Sequence, residues 1–146
     1  MVEEDRDGIA LLPIQPPYVE AILEGRKKVE FRRRGFGRPI RHVVVYSTSP
    51  VQRIVAFFRV SGIREASPHE LWERYWKVGG IDEDMFNAYY QGAQKGIAIE
   101  IDEVFSLKTP LPLKSLCKTL SVPQSFSYLP DLLFQQVVHT YRQDPP

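Results

Sequence analysis

Apolar residues in this chain gather into short runs separated by proline and glycine, and the runs change period along the sequence. Ile9 to Ile14 is apolar with β-branched ends and predicts a strand; Pro13 marks it as an edge strand or the end of one. Pro16-Pro17 then opens a helix predicted over 16–24, with Tyr18, Val19, Ala21, Ile22 and Leu23 as its apolar stripe and Gly25 as its stop. Lys28 to Arg34 predicts a strand whose alternation sends Val29 and Phe31 to one face and Lys28, Glu30 and Arg32 to the other. Gly35 to Pro39 reads as a turn, and His42 to Tyr46 as a buried β-branched strand. Ile54 to Ile63 lacks alternation in its first half, which predicts burial on both faces, with Gly62 placed for a bend or bulge.

Ser67-Pro68-His69-Glu70 has the capping-box pattern and starts a helix predicted over 67–78, carrying Leu71, Trp72, Tyr75 and Trp76 and ending at Gly79-Gly80. Asp82 caps a second helix over 82–91, with Met85, Phe86, Tyr89 and Tyr90 on it. Gly96 to Val104 alternates Ile97, Ile99 and Ile101 against Ala98, Glu100 and Asp102, a half-buried strand. From Leu107 the chain reads as irregular, with a short helix from Pro130 to about His139, and residues 1–8 read as a flexible lead-in. The order β-α-β-β-β-α-α-β is an α+β arrangement, and its long strands favour a small, strongly bent mixed sheet or barrel of about five or six strands.

With 146 residues the chain fits a single domain over 9–146, long enough to bury about two-thirds of the surface its unfolded form exposes. No apolar run approaches the roughly 20 residues of a membrane span. Met1 to Asp7 is acidic, unlike a signal or transit peptide, and a lone cysteine, Cys117, suits a reducing compartment; the expectation is a cytoplasmic protein without a membrane partner.

Charge sharpens the picture. The net charge is only +1, yet Arg26 to Arg41 holds eight Lys or Arg and one acid, a local balance of +7, leaving 11 bases and 17 acids elsewhere. A segment of that kind either attracts a polyanion or forms a solvated face paired with acids from other elements. Other chemistries have little footing. Cys117 lies far in sequence from His42, His69 and His139, no His, Cys and Asp share metal-ligand spacing, and Gly35-Phe36-Gly37 lacks the rest of a phosphate loop. No metal or cofactor is expected. Trp72 and Trp76, at helical spacing, read first as core. Ser47, Thr48 and Ser49, at the mouth of a strand, suit either hydrogen bonds to phosphate or base edges or local turn capping.

Gly25-x-Lys27-x-x-Glu30-x-Arg32 resembles the GxKxxExR signature of the ASCH domain, within the PUA-like superfamily. The element order over roughly 9–106 is also similar. Tyr46 to Pro50 and Pro123-Gln124-Ser125-Phe126 resemble a subgroup described as transcriptional regulators. The resemblance implies a PUA-like β-barrel with flanking helices and the motif lining a cleft that binds RNA or a modified nucleobase. Some members are enzymes. One group is an amidohydrolase that removes the acetyl group of N-acetylcytidine with a lysine and a threonine of the motif and a glutamate from a later strand; another member is a ribonuclease. Lys27 matches that lysine, whereas Glu30 stands where the hydrolases have threonine. The expected core site is therefore Lys27, Glu30 and Arg32, with Lys27 and Glu30 as the catalytic pair of any enzyme. Arg26, Lys28, Arg33 and Arg34 are the expected backbone contacts, and RNA or a nucleoside or nucleotide is the expected partner. By simple alternation Lys27 faces away from Glu30, so their convergence requires the turn after Gly25 to break the strand's parity.

Overall fold

The structure is a computed structural model that describes residues 8–143. Its elements are β1 (Gly8–Ile14), α1 (Pro16–Leu23), β2 (Val29–Arg32), β3 (Ile40–Ser47), β4 (Arg53–Ala66), α2 (Pro68–Tyr75), α3 (Glu83–Tyr90), β5 (Gly96–Leu111), β6 (Ser127–Tyr128) and α4 (Asp131–Gln143). The six strands form one mixed sheet in the order β2-β5-β4-β3-β1-β6, parallel only between β1 and β3, and the sheet curls into a half-barrel. Apart from Gly8, which already belongs to β1, the expected lead-in of residues 1–8 lies outside the described residues.

Both faces of the sheet are covered, which explains the missing alternation in its central strands. On one face Ala10, Leu12, Val43, Val45 and Phe58 pack with Val19 and Ile22 of α1. On the other, Ile9, Leu11, Val44, Tyr46 and Phe57 pack under Phe134 and Val137 of α4. A third cluster joins Val29, Phe31 and Ala98 to Leu71, Tyr75, Phe86 and Tyr90 of α2 and α3. Both helix caps form as their sequences predict: the Glu70 N–H donates to Ser67 Oγ at 3.2 Å and the Met85 N–H to Asp82 Oδ1 at 2.9 Å. The register shifts along β4, including one between Val60 and Gly62, as the glycine suggested.

Three elements depart from expectation. β5 continues to Leu111 because its far half returns along β4, pairing Leu111 with Ile54. The tail is not wholly irregular: Ser127–Tyr128 adds a two-residue strand against Leu11 and Ala10. β1 is consequently not an edge strand; Pro13 instead marks its end, and β6 covers only those two residues, leaving the β6 side of Pro13 open. That exposed side is where a proline, with no N–H to give, is tolerated.

Side chains bridge the open seam of the half-barrel. Arg32, at the end of β2, donates from Nη2 to the Pro13 carbonyl at 2.7 Å and from Nη1 to the Ser125 carbonyl at 3.2 Å. The Gly37 N–H donates to the Tyr128 hydroxyl at 2.8 Å, and Phe36 meets Phe126 edge to face at 4.8 Å. The segment before β6 is thus tied to the β2–β3 loop across the gap.

Candidate functional site

Beside this seam lies a cleft of about 430 Å³, walled by the β1–α1 junction, β2 and α3. Pro13, Ile14, Gln15 and Tyr18 line one side, Ile81, Met85, Ala88 and Tyr89 the other, and Lys27, Glu30, Phe31 and Arg32 supply the remainder. The volume lies within the range of small-ligand sites, and a mostly apolar lining with a few convergent polar groups is their usual composition.

The motif residues meet in this cleft because the chain leaves α1 through a tight turn. Gly25 adopts φ +82°, and the N–H groups of Arg26 and Lys27 both donate to the Ala21 carbonyl at 3.0 Å. β2 starts only at Val29, so Lys27 precedes the strand and escapes its alternation. Its ammonium lies 3.6 Å from Glu30 Oε1 and donates to the Gly79 carbonyl at 2.6 Å. On the other side of the carboxylate, Arg32 Nε donates to Glu30 Oε2 at 3.1 Å. Lys27 and Glu30 are buried, at 3% and 7% exposure, and Val29 and Phe31 point into the α2–α3 core as the alternation predicts.

A buried cluster of two cations and one carboxylate is an electrostatic device. Burial lowers the pKa of Lys27 below that of an ordinary lysine; Glu30 beside it opposes that shift, and Arg32 adds to it. The Lys27 ammonium also lies over the rings of Tyr18 and Phe31, at 5.4 and 5.2 Å. Burial raises the pKa of the Tyr18 hydroxyl, with Asp82 and Glu30 adding to the rise, and burial also raises that of Tyr89. Both phenols therefore stay neutral donors near neutral pH. Lys27 keeps one N–H beyond those directed at Gly79 and Glu30, and among the described residues Glu30 Oε1 has the longer contact to Lys27, so the floor presents an acceptor beside a donor.

The other expected residues are scattered. Arg26 is exposed and paired with Glu24, and Lys28 is exposed. Arg33 Nη1 donates to the carbonyls of Tyr89 and Gln91 at 2.8 and 3.2 Å, closing the C-terminal end of α3. Arg34 is exposed. Ser47 is buried at the end of β3, and the turn through Thr48 and Ser49 is held by the Thr48 N–H on the Ile14 carbonyl. None of these three hydroxyl residues lines the cleft, whose lining holds no Ser, Thr, Cys or His. Glu100, on β5, accepts from the Tyr75 hydroxyl at 2.6 Å and also lies outside the lining. No group of three or more His, Cys, Asp or Glu among the described residues is placed to hold a metal ion.

Sequence reasoning did not find the aromatic and apolar walls. Tyr89 and Tyr90 divide as their adjacency requires: Tyr89 lines the cleft, while Tyr90 is buried with its hydroxyl on the Arg32 carbonyl at 2.9 Å. The second wall of the lysine site is Gly79-Gly80, read from sequence only as a helix stop. A Cβ on Gly80, which adopts φ +62°, would come within 2.6 Å of Lys27 Cβ, so only glycine lets the two segments approach. Trp72 packs on Phe86 at 5.0 Å, but Trp76 is 51% exposed and is not a core residue. It follows the last turn of α2, beyond the face that meets the sheet.

Comparison with known proteins bears on the family and the fold. The family described as "ASCH domain" matches residues 12–110. The chain is 27% identical over 124 residues to the ASCH domain-containing ribonuclease of Zymomonas mobilis, spanning 82% of this chain and 83% of that protein. The crystal structure of ASCH from Zymomonas mobilis matches with a TM-score of 0.83 at 27% identity, over 90% of this chain and 94% of that one. The N-terminal domain of Staphylothermus marinus McrB shares the fold alone, with a TM-score of 0.58 at 10% identity over 90% of this chain and 93% of that one. With the match covering more than half of its length, the chain belongs to the ASCH domain family.

Proposed function

We propose that this protein is an RNA-binding module that draws one unstacked nucleobase, modified or unmodified, into the cleft between α1, β2 and α3. The observation that carries this reading is the buried Lys27–Glu30–Arg32 cluster at the floor of an apolar and aromatic cleft. A base is flat, apolar on its faces and polar at its edge. Tyr18 and Tyr89 offer rings for the faces, and the Glu30 acceptor and Lys27 donor offer partners for the edge. The charges of Lys27 and Arg32 are largely satisfied by Glu30 and by backbone carbonyls. Phosphate contact falls instead to the exposed cations of the basic segment, among them Lys28 and Arg34.

The test is fluorescence anisotropy with a labelled single-stranded RNA. Ala88→Trp fills the cleft from an exposed helical position while leaving Lys27, Glu30 and Arg32 unsubstituted, and is expected to weaken binding at least tenfold at unchanged melting temperature. Wild-type affinity should fall with salt at a log–log slope of about −2 to −3.5, roughly −0.7 per neutralised phosphate for three to five contacts. Full affinity in Ala88→Trp would place the base elsewhere.

The similarity to a protein named a ribonuclease supports a second reading, in which the same cleft positions RNA for cleavage. Such a reaction needs a base to take the ribose 2′-hydroxyl proton as that oxygen attacks phosphorus, and an acid for the departing 5′-oxygen. Since the cleft lining has no histidine, Lys27 and Glu30 are the residues that would serve. Accumulation of shortened RNA with the wild type, lost in Glu30→Gln while binding persists, would favour this reading.

A further inference from the structure

We propose that Arg38, seated over the ring of Tyr128, is a stacking shelf for a second base of the same single-stranded RNA, near the base in the cleft; the inference rests on the RNA-binding reading above. The Arg38 guanidinium carbon is 3.8 Å from the centroid of the Tyr128 ring, the shortest cation–ring distance among the described residues. The arrangement is fixed from three sides. Tyr128 belongs to β6 and its hydroxyl accepts from the Gly37 N–H at 2.8 Å, which holds the ring in place. Phe126 packs on Tyr128 at 5.3 Å and on Phe36 at 4.8 Å. The stem of Arg38 runs over Gly8, where a Cβ would come within 3.0 Å of Arg38 Cδ, so the glycine leaves the arginine room to lie down.

One face of the guanidinium is thus covered by tyrosine, while Arg38 as a residue is exposed. A planar cation backed by an aromatic ring presents its other face to a nucleobase, which stacks on guanidinium planes as it does on aromatic rings. A short stretch of chain links the shelf to the cleft. Arg32, in the cleft lining, donates to the Ser125 carbonyl, and Ser125 to Tyr128 spans at most roughly 10 Å of chain. Arg34 lies in the same loop as Arg38 and is exposed. Sequence counting included Arg38 only as one charge among eight; its stacked geometry depends on a strand too short to anticipate.

The experiment compares two labelled RNAs of eight nucleotides. One is oligoadenylate, and the other has abasic riboses at all positions except a single central adenine. The single base occupies the cleft, so Arg38→Ala should leave binding of the mostly abasic oligomer within about twofold, while weakening oligoadenylate about tenfold, toward the low end of one lost base stack. Arg38→Lys keeps the charge but not the plane, and should weaken oligoadenylate to a similar degree. Equal loss for both oligomers, or recovery of oligoadenylate binding in Arg38→Lys, would make Arg38 a phosphate contact and overturn the shelf. Unchanged oligoadenylate affinity in Arg38→Ala would overturn it as well, with the cleft reading intact. If neither oligomer binds the wild type, both proposals fail together.

Discussion

Two ion clusters decorate the same sheet, and the better-looking one is worth less. On β4 and β5, Arg59 meets Asp102 at 2.9 Å and Glu103 at 3.3 Å, with all three side chains about half exposed. In the cleft, Glu30 meets Arg32 at 3.1 Å and Lys27 at 3.6 Å, with side-chain exposures of 9%, 15% and 3%. The shortest of the four distances belongs to the cluster that water and salt screen, where a pair contributes about 0–1 kcal/mol. The longest belongs to a site where each charge has given up most of its hydration and depends on the others. Solvent, not distance, ranks the two. It also explains why one cluster can act as a binding floor: a desolvated carboxylate beside a desolvated ammonium meets a ligand's polar edge with little water to compete.

The largest difference should appear on removing the carboxylate. Glu30→Ala leaves Lys27 and Arg32 without their shared counter-charge, and we expect a loss of about 3–5 kcal/mol in urea unfolding. Glu30→Gln should cost less, because its amide oxygen still accepts from Arg32 Nε. A loss below 1 kcal/mol for Glu30→Ala would mean that water enters the cluster freely and the contrast is false.

Lys27→Met should come next, at about 1–3 kcal/mol near neutral pH, chiefly from the Gly79 carbonyl left without its donor. Its pH dependence sharpens the comparison. Burial lowers the folded pKa of Lys27 below the ordinary 10.5. Below the folded pKa, both folded and unfolded chains carry the proton and no slope results. Between the folded value and 10.5 only the unfolded chain carries it, so stability contributed by this residue rises with pH. The advantage of wild type over Lys27→Met should therefore widen through that alkaline window. A constant or shrinking difference would show that Lys27 is solvated.

The smallest effect is expected from Arg59→Ala, at most about 1 kcal/mol and fading in high salt. The cost of Glu30→Ala should hold at the same salt concentration. Equal salt sensitivity of the two variants would remove the distinction.

Much of this was legible in the chain. Alternation in Val29-Glu30-Phe31-Arg32 assigned both faces of β2, because a four-residue strand with one face on a helical core has a strict period of two. The caps at Ser67 and Asp82 were readable because capping is local chemistry between residues three apart. The convergence of Lys27 on Glu30 was not, since it depends on the turn Gly25 makes off the end of α1 and on Gly79-Gly80 arriving from another element. Counting charge treated every cation in the basic segment alike, whereas Lys27, Arg32 and Arg33 spend donors on carbonyls distant in sequence. The two-residue β6 carries no periodic signal; it exists because Leu11 and Ala10 offer an unpaired edge.

Everything in the proposed binding mode turns on a base of single-stranded RNA entering the cleft and meeting Glu30. The most direct measurement is a crystal structure of the protein with a bound octaribonucleotide. One base should be unstacked from its neighbours and lodged between Tyr18 and Tyr89, with a donor at its edge about 2.6–3.2 Å from Glu30 Oε1. RNA lying along the exposed cations, with every base outside the cleft, would contradict it.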